Sequence, residues 1–212
     1  MRRPAPRFRT RSRHGFTLIE LLCVLAIISI LAVVAVGGLQ RIMLSTNLTT
    51  SASLVVDALN LARQRAISNN CPVEVRLYQV PGNGGNATLQ YRALGLYQLN
   101  TDGPQLIQKI LYLNGNVIFS NSQTFGTLLY YTSTSTSTLL PGGPLPKYTY
   151  WYFHYHPDGS TDLNTRPATA ETWHVMLYNS NRPPVGTTPP SNYITIQLDP
   201  LSGRTVTFQP GM

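Results

Sequence analysis

Residues 16–36 read FTLIELLCVLAIISILAVVAV, with Glu20 as the only charge in the run. As an α-helix, these residues span roughly 32 Å, close to the hydrocarbon core of a bilayer at about 30 Å. The side before the run carries Arg2, Arg3, Arg7, Arg9, Arg11 and Arg13. The positive-inside rule places that side in the cytoplasm and the rest of the chain beyond the cytoplasmic membrane. An ordinary secretory signal is the competing reading. It would be cut after the run, where Val34, Ala35, Val36, Gly37 and Gly38 offer small residues. A lipoprotein signal at Cys23 would want a small residue where Leu22 stands.

Working outward, the 212 residues suffice for one folded domain plus an appended element. The formal charge of +8 first suggests a nucleic-acid or membrane-surface binder. Its distribution argues otherwise. Six of the sixteen Lys and Arg lie in the first thirteen residues, and none of the eight acids precedes Glu20. A cut after Gly15 leaves ten basic and eight acidic groups, a net charge of +2. The basicity belongs to the leader, so nucleic acid is not an expected partner. Only 11% of residues are charged, and the abundance of Tyr, Thr, Ser, Asn, Gly and Pro suits strands and turns. Cys23 and Cys71 stand some 70 Å apart along a helix at roughly 1.5 Å per residue, too far for a disulfide.

Glu20 is the informative residue of the run. A carboxylate inside a membrane segment costs on the order of 2–3 kcal/mol and calls for a partner. It stands one helical turn after Phe16. A cut between Gly15 and Phe16 would create an α-amino cation able to meet it, within one chain or between staggered neighbours. The alternative is a Glu close enough to the interface to reach water.

The segment Arg13-His14-Gly15-Phe16-Thr17-Leu18-Ile19-Glu20-Leu21-Leu22 resembles the class III signal of type IV pilins and type II secretion pseudopilins. His14 stands where a basic residue is usual, with Arg13 behind it. The resemblance implies cleavage after Gly15 by a membrane-embedded prepilin peptidase and N-methylation of Phe16. It also implies assembly through Glu20, with the apolar helix serving first as anchor and then as filament core.

Beyond the run, Gly37-Gly38 is expected to interrupt or kink the helix, since each Gly costs about 1 kcal/mol relative to Ala. Leu48, Ala52, Val55, Leu59, Ala62 and Ala66 then recur at helical spacing, with Arg41, Asp57, Arg63 and Arg65 mostly off that stripe. Asn69-Asn70-Cys71-Pro72 ends the helix. From Val73 the period becomes two, as in a strand with one face buried. Strands are expected near 73–78, 88–99, 107–119, 127–131, 148–156, 172–178, 193–198 and 205–208, separated by Gly, Pro and Asn turns. The expected fold is α+β: a long N-terminal helix on an antiparallel, sandwich-like β-domain. The organisation reads as a cleaved leader at 1–15, a transmembrane helix at 16–38, an amphipathic helix at 39–70 and a β-rich domain at 71–212. Mobile loops are expected near 132–147 and 179–191.

Three chemical constellations compete with a structural reading of that domain. His154 and His156, with Asp158 nearby and His174 as third candidate, could hold a metal, although Asp158-Gly159 is also a natural turn. Ser160, Asp162 and His174 could be strung into a hydrolase triad, but no nucleophile elbow surrounds the serine. Arg166, Arg182 and Arg204 could touch phosphates if the domain bound DNA. The preferred reading has no metal, no cofactor and no catalytic residue.

The back half carries a second resemblance. Phe153, Pro157-Asp158-Gly159-Ser160, Trp173 and Ile194-Thr195-Ile196-Gln197-Leu198-Asp199-Pro200-Leu201-Ser202-Gly203-Arg204 resemble the ending of H-type (FimT-like) minor pseudopilins. They resemble the Verru_Chthon cassette protein D group more closely still, and Ala62-Arg63-Gln64-Arg65-Ala66-Ile67 fits both. The family likeness implies a non-enzymatic filament subunit of a type II secretion or type IV pilus-like system. Its implied partners are prepilin peptidase, other pilins or pseudopilins and the inner-membrane assembly platform. The implied location is single-pass in the cytoplasmic (inner) membrane, with the C-terminal domain periplasmic or extracellular. A DNA-binding or adhesive minor pilin at a filament tip is the alternative.

Overall fold

The structure, a computed structural model, describes residues 16–82, 88–131, 133–137, 140, 147–165 and 172–210. The chain divides into two units, Met1–Ile42 and Met43–Met212. In the first unit, helix α1 (Leu18–Asn69) begins, and its side chains over Leu18–Ala32 are all exposed. The helix continues through Gly37 and Gly38 rather than breaking there. Two glycines cost about 2 kcal/mol of helix propensity. Stranding several backbone hydrogen bonds among apolar neighbours costs more.

In the second unit, α1 buries Leu48, Ala52, Val55, Leu59, Ala62 and Ala66 on one face, as the helical spacing predicts. Length and composition would also let Ile42–Asn69 pass for a membrane span, but this burial makes it a core helix instead. The helix ends in a Schellman motif. Cys71 N donates to Ala66 O at 3.2 Å and Asn70 N to Ile67 O at 3.4 Å. Asn70, at φ 46°, takes the left-handed position where Gly is commoner.

Two antiparallel sheets complete the α+β fold. One contains β1 (Val73–Pro81), β2 (Leu89–Asn100), β3 (Gly103–Leu106), β4 (Leu111–Tyr112), β6 (Ser133–Ser137) and β7 (Tyr148–Tyr155). Its order is β3-β2-β1-β7-β6, with β4 also paired to β2. The other contains β5 (Val117–Phe119), β8 (Trp173–Asn179), β9 (Tyr193–Leu198) and β10 (Thr205–Phe208), ordered β10-β9-β8-β5. Val73, Val75 and Leu77 from the first sheet meet Val175, Leu177, Ile194 and Ile196 from the second and the α1 stripe in one apolar core.

Several sequence expectations are corrected. Residues 127–131 give the single helical turn α2 (Leu128–Tyr131), because Leu128 and Leu129 both reach the core, which a strand's alternation forbids. The stretch 107–119 splits into β4 and β5 around a turn, and β3 was not anticipated. Part of the expected 132–147 loop is strand: Ser133–Ser137 pairs with β7, its alternating threonines suiting an edge. Residues 132, 138, 139 and 141–146 lie outside the described residues.

The largest correction concerns β1, which is buried on both faces rather than one. Glu74, Arg76 and Tyr78 point away from the main core into a second cluster with Ala93, Tyr97, Ile110, Leu140, Tyr148 and Tyr150. Gly95, opposite Arg76, keeps that face open for the rings: a Cβ there would stand 2.8 Å from Ile110 Cδ1 and 3.0 Å from Tyr97 Cε2.

Candidate functional site

Thr17 and Glu20 close the start of α1 reciprocally. Thr17 N and Oγ1 each donate to Glu20 Oε2 at 2.9 Å, and Glu20 N donates to Thr17 Oγ1 at 3.3 Å. This is a capping box with Thr17 at the N-cap and Glu20 at the third helical position. It satisfies two amides that the helix cannot, and sets a negative charge at the positive end of the helix dipole. Both Thr17 hydrogen bonds converge on Oε2. Among the described residues, Oε1 receives no hydrogen bond. Phe16 precedes the cap and is 82% exposed. Around the carboxylate, Leu18, Ile19, Leu21 and Leu22 are exposed as well, so the charge sits in an apolar surface. Gly15, the other half of the expected cleavage site, lies outside the described residues.

Residues 10–36 match the prokaryotic N-terminal methylation motif. The matched span takes in Gly15, Phe16, Thr17 and Glu20 and ends with the apolar run. Among solved structures, the chain is similar to two structures of the minor pseudopilin EpsH from the type II secretion system of Vibrio cholerae. One is 12% identical, covering 78% of this chain and 99% of that one, at a TM-score of 0.42. The other is 14% identical, covering 79% and 97%, at a TM-score of 0.43. No curated protein matches. The methylation motif therefore marks the N-terminal segment, and the capping box lies within its first half.

Among the described residues, the ion pairs of the β-domain gather in one constellation. His154 Nε2 meets Glu74 Oε2 at 3.0 Å, and His154 Nδ1 meets Asp162 Oδ2 at 3.0 Å. Asp162 Oδ1 also accepts from His154 N at 2.9 Å. With a carboxylate at each ring nitrogen, the imidazole must donate twice, which only the cation can do. Those bonds from Asp162 and Glu74 outweigh partial burial and push the His154 pKa up to about 9. Burial alone would raise the Glu74 pKa, but His154 and Arg76 reverse that and hold it below the usual carboxylate range. Arg76 Nε donates to Glu74 Oε1, and its guanidinium lies 4.0 Å from the Tyr97 ring centroid and 4.8 Å from that of Tyr150. Two cations and two anions thus satisfy one another across β1, β7 and the 3-10 turn at Asp162–Thr165.

That pairing redistributes the candidates named from sequence. Asp162 belongs to His154 rather than to a triad with His174, whose Nδ1 faces Thr127 Oγ1 at 3.3 Å. Ser160 Oγ donates to Asp158 Oδ1 at 2.6 Å, closing the turn that carries Gly159. His156 lies past the end of β7, its amide bonded to Ser160 O at 2.8 Å. Among the described residues, no group of three or more His, Cys, Asp or Glu could hold a metal ion. Arg182 sits in the turn after β8 and Arg204 beside Asp199, whereas Arg166 lies outside the described residues.

Sequence reasoning missed two residues with roles here. Thr17 was legible, since Thr17-Leu18-Ile19-Glu20 fits the S/T-x-x-E capping signature. Arg63, read as off the buried stripe, donates from Nε to Ser202 O at 2.7 Å and lies against Gly159 and Gly203. Its only sequence hint was its place in Ala62-Arg63-Gln64-Arg65-Ala66-Ile67.

Proposed function

We propose that this chain is a minor pilin or pseudopilin, a structural subunit of a type II secretion or type IV pilus-like filament. The observation that carries the reading is the Glu20 carboxylate. It is held by Thr17 at the head of the apolar stretch of α1 that is exposed over Leu18–Ala32, within the methylation motif, with Oε1 open to a further donor among the described residues. Prepilin peptidase cuts between Gly15 and Phe16 and methylates the Phe16 amine. That amine is the missing donor for Glu20, in the same subunit or a staggered neighbour. Pairing them offsets the burial of two charges in lipid.

Before assembly, the helix at 16–38 anchors the chain once in the inner membrane, with the leader cytoplasmic and the β-domain periplasmic or extracellular. The assembly platform then draws the subunit into the filament helix first, and the β-domain carries whatever specificity the subunit has. The helix at 39–70 and the domain at 71–212 form the part outside the membrane. The His154 constellation fits this reading, since its groups are engaged with one another and serve to join strands.

N-terminal sequencing and intact mass of the protein recovered from membranes test the reading. The expected start is N-methylated Phe16. An intact leader, or a start beyond Gly38, overturns it.

A further inference from the structure

We propose that the open edge of β10 receives an extended strand from a neighbouring subunit, laid in the groove between β10 and α1. The inference rests on the filament reading above. Among the described residues, β10 ends its sheet and pairs with β9 alone. Asp199 N donates to Arg204 O at 2.9 Å, which sets the phase of the hairpin. Two residues on, Val206 faces Gln197, and Phe208 faces Thr195 two further along. In an antiparallel ladder these residues turn their backbone groups toward β9, so those of Thr205 and Thr207 point outward. Among the described residues, no other backbone group bonds to them.

The adjoining space is already shaped. A groove of about 270 Å³ is lined by Thr49, Ala52, Ser53, Val56, Ile194 and Thr207. Its floor is apolar. Asp57 stands on its rim, exposed and in no ion pair among the described residues. On the other face of the edge, Val206 and Phe208 are 53% and 52% exposed. Soluble proteins usually guard such an edge with Lys, Pro or a bulge, and Thr205–Phe208 has no Lys or Pro.

These features define the occupant. Outward N–H and C=O groups spaced two residues apart require an extended backbone. Residues of the added strand beside Val206 and Phe208 are apolar, to cover those side chains. Residues on the alternate face are small enough to pass over Ala52 and Val56. One of them is a Lys or Arg that reaches Asp57.

The test is amide hydrogen exchange at Thr205 and Thr207 in the full chain, in detergent-solubilised monomer and in isolated filaments. Exchange is expected to slow at least tenfold in the filament. Two edge variants accompany it. Thr207→Pro removes an outward amide, and Phe208→Lys puts a charge where the apolar partner would pack. Each is expected to keep Phe16 processing and the thermal midpoint of the monomer while lowering filament incorporation at least tenfold. If Thr207→Pro fails to fold, Phe208→Lys alone decides. Filaments that contain the chain but leave both amides exchanging freely overturn the strand assignment and spare the filament reading. Concentration-dependent protection in the monomer points to a second copy of this chain on the edge and also overturns it. Absence of the chain from filaments overturns both.

Discussion

Glu74 and His154 stand opposite one another in the register of β1 and β7, and their side chains meet through Oε2 and Nε2 at 3.0 Å. Asp162 holds the other ring nitrogen, so the pairing joins three separate stretches of chain around one imidazolium. A cation so placed makes the stability of the domain depend on pH in a defined direction.

The His154 pKa lies at about 9, above its ordinary 6.5. A raised folded-state value gives stability that is complete below the unfolded value and lost as pH rises through the folded one. The domain should therefore weaken between pH 6.5 and about 9. Glu74 acts at the other end, its contribution fading as pH falls through a value below 4.5. Urea unfolding of wild type and His154→Ala across this range checks both limbs. The substitution should cost about 2 kcal/mol near pH 6 and little above pH 9. A pH-independent difference between the two proteins would remove the charged bridge.

Arg63 fastens α1 to the turns that carry Gly159 and Gly203. Arg63→Ala should destabilise the domain by about 2 kcal/mol through loss of the charge-assisted bond to Ser202 O. Arg63→Lys should recover only part of this, because a lysine lacks the planar group laid against both glycines. Denaturant midpoints of the three proteins, compared at equal m-value, decide the matter.

Gly203 and Gly186 both have positive φ, at 66° and 58°, yet they should respond differently to Ala. At Gly186 a Cβ meets nothing within 4 Å, so the penalty is the left-handed conformation alone, about 1 kcal/mol. At Gly203 the Cβ would collide with the Gly159 carbonyl oxygen and stand 2.9 Å from Tyr155 Cε1. Gly203→Ala should cost at least about 3 kcal/mol, since buried backbone must shift. Thermal midpoints separate the two.

If the proposed filament role holds, Glu20→Ala should leave cleavage after Gly15 intact and abolish filament incorporation, because a neighbouring Phe16 amine would lose its partner. Glu20→Gln tests the charge itself. It keeps an oxygen for Thr17, so the helix start should persist while incorporation still fails. Incorporation of Glu20→Gln at the wild-type level would show that capping, not charge, is what assembly requires. Immunoblots of membrane and filament fractions give the readout.

Legibility in the sequence followed the range of the forces involved. The N-terminal segment could be read because its signals are local: an unbroken apolar run, a flanking charge block and one misplaced carboxylate. The strands at Tyr193–Leu198 and Thr205–Phe208 were placed to the residue because the Asp199–Gly203 turn separates two clean alternations. The buried status of Glu74 and Arg76 was hidden because alternation reports which residues share a face, not whether that face is covered. What covers it is brought from β2 and β7 by Tyr97 and Tyr150, far away in the chain. The pairing of Asp162 with His154 was hidden for the same reason. Both His154 and His174 are within a dozen residues of it, and only the 3-10 turn after β7 decides between them.

The bond from Arg63 to Ser202 joins residues 139 positions apart. The seat of the helix is therefore finished by residues made long after the helix itself. While the polypeptide is being made, Leu48, Val55 and Leu59 have no β9–β10 hairpin to cover them until Phe208 has been added. Closure of so long a loop is slow compared with local helix formation. Through that interval the stripe is open to any apolar surface within reach. A truncation before Tyr193 should be cleared by proteases, although the whole of α1 remains.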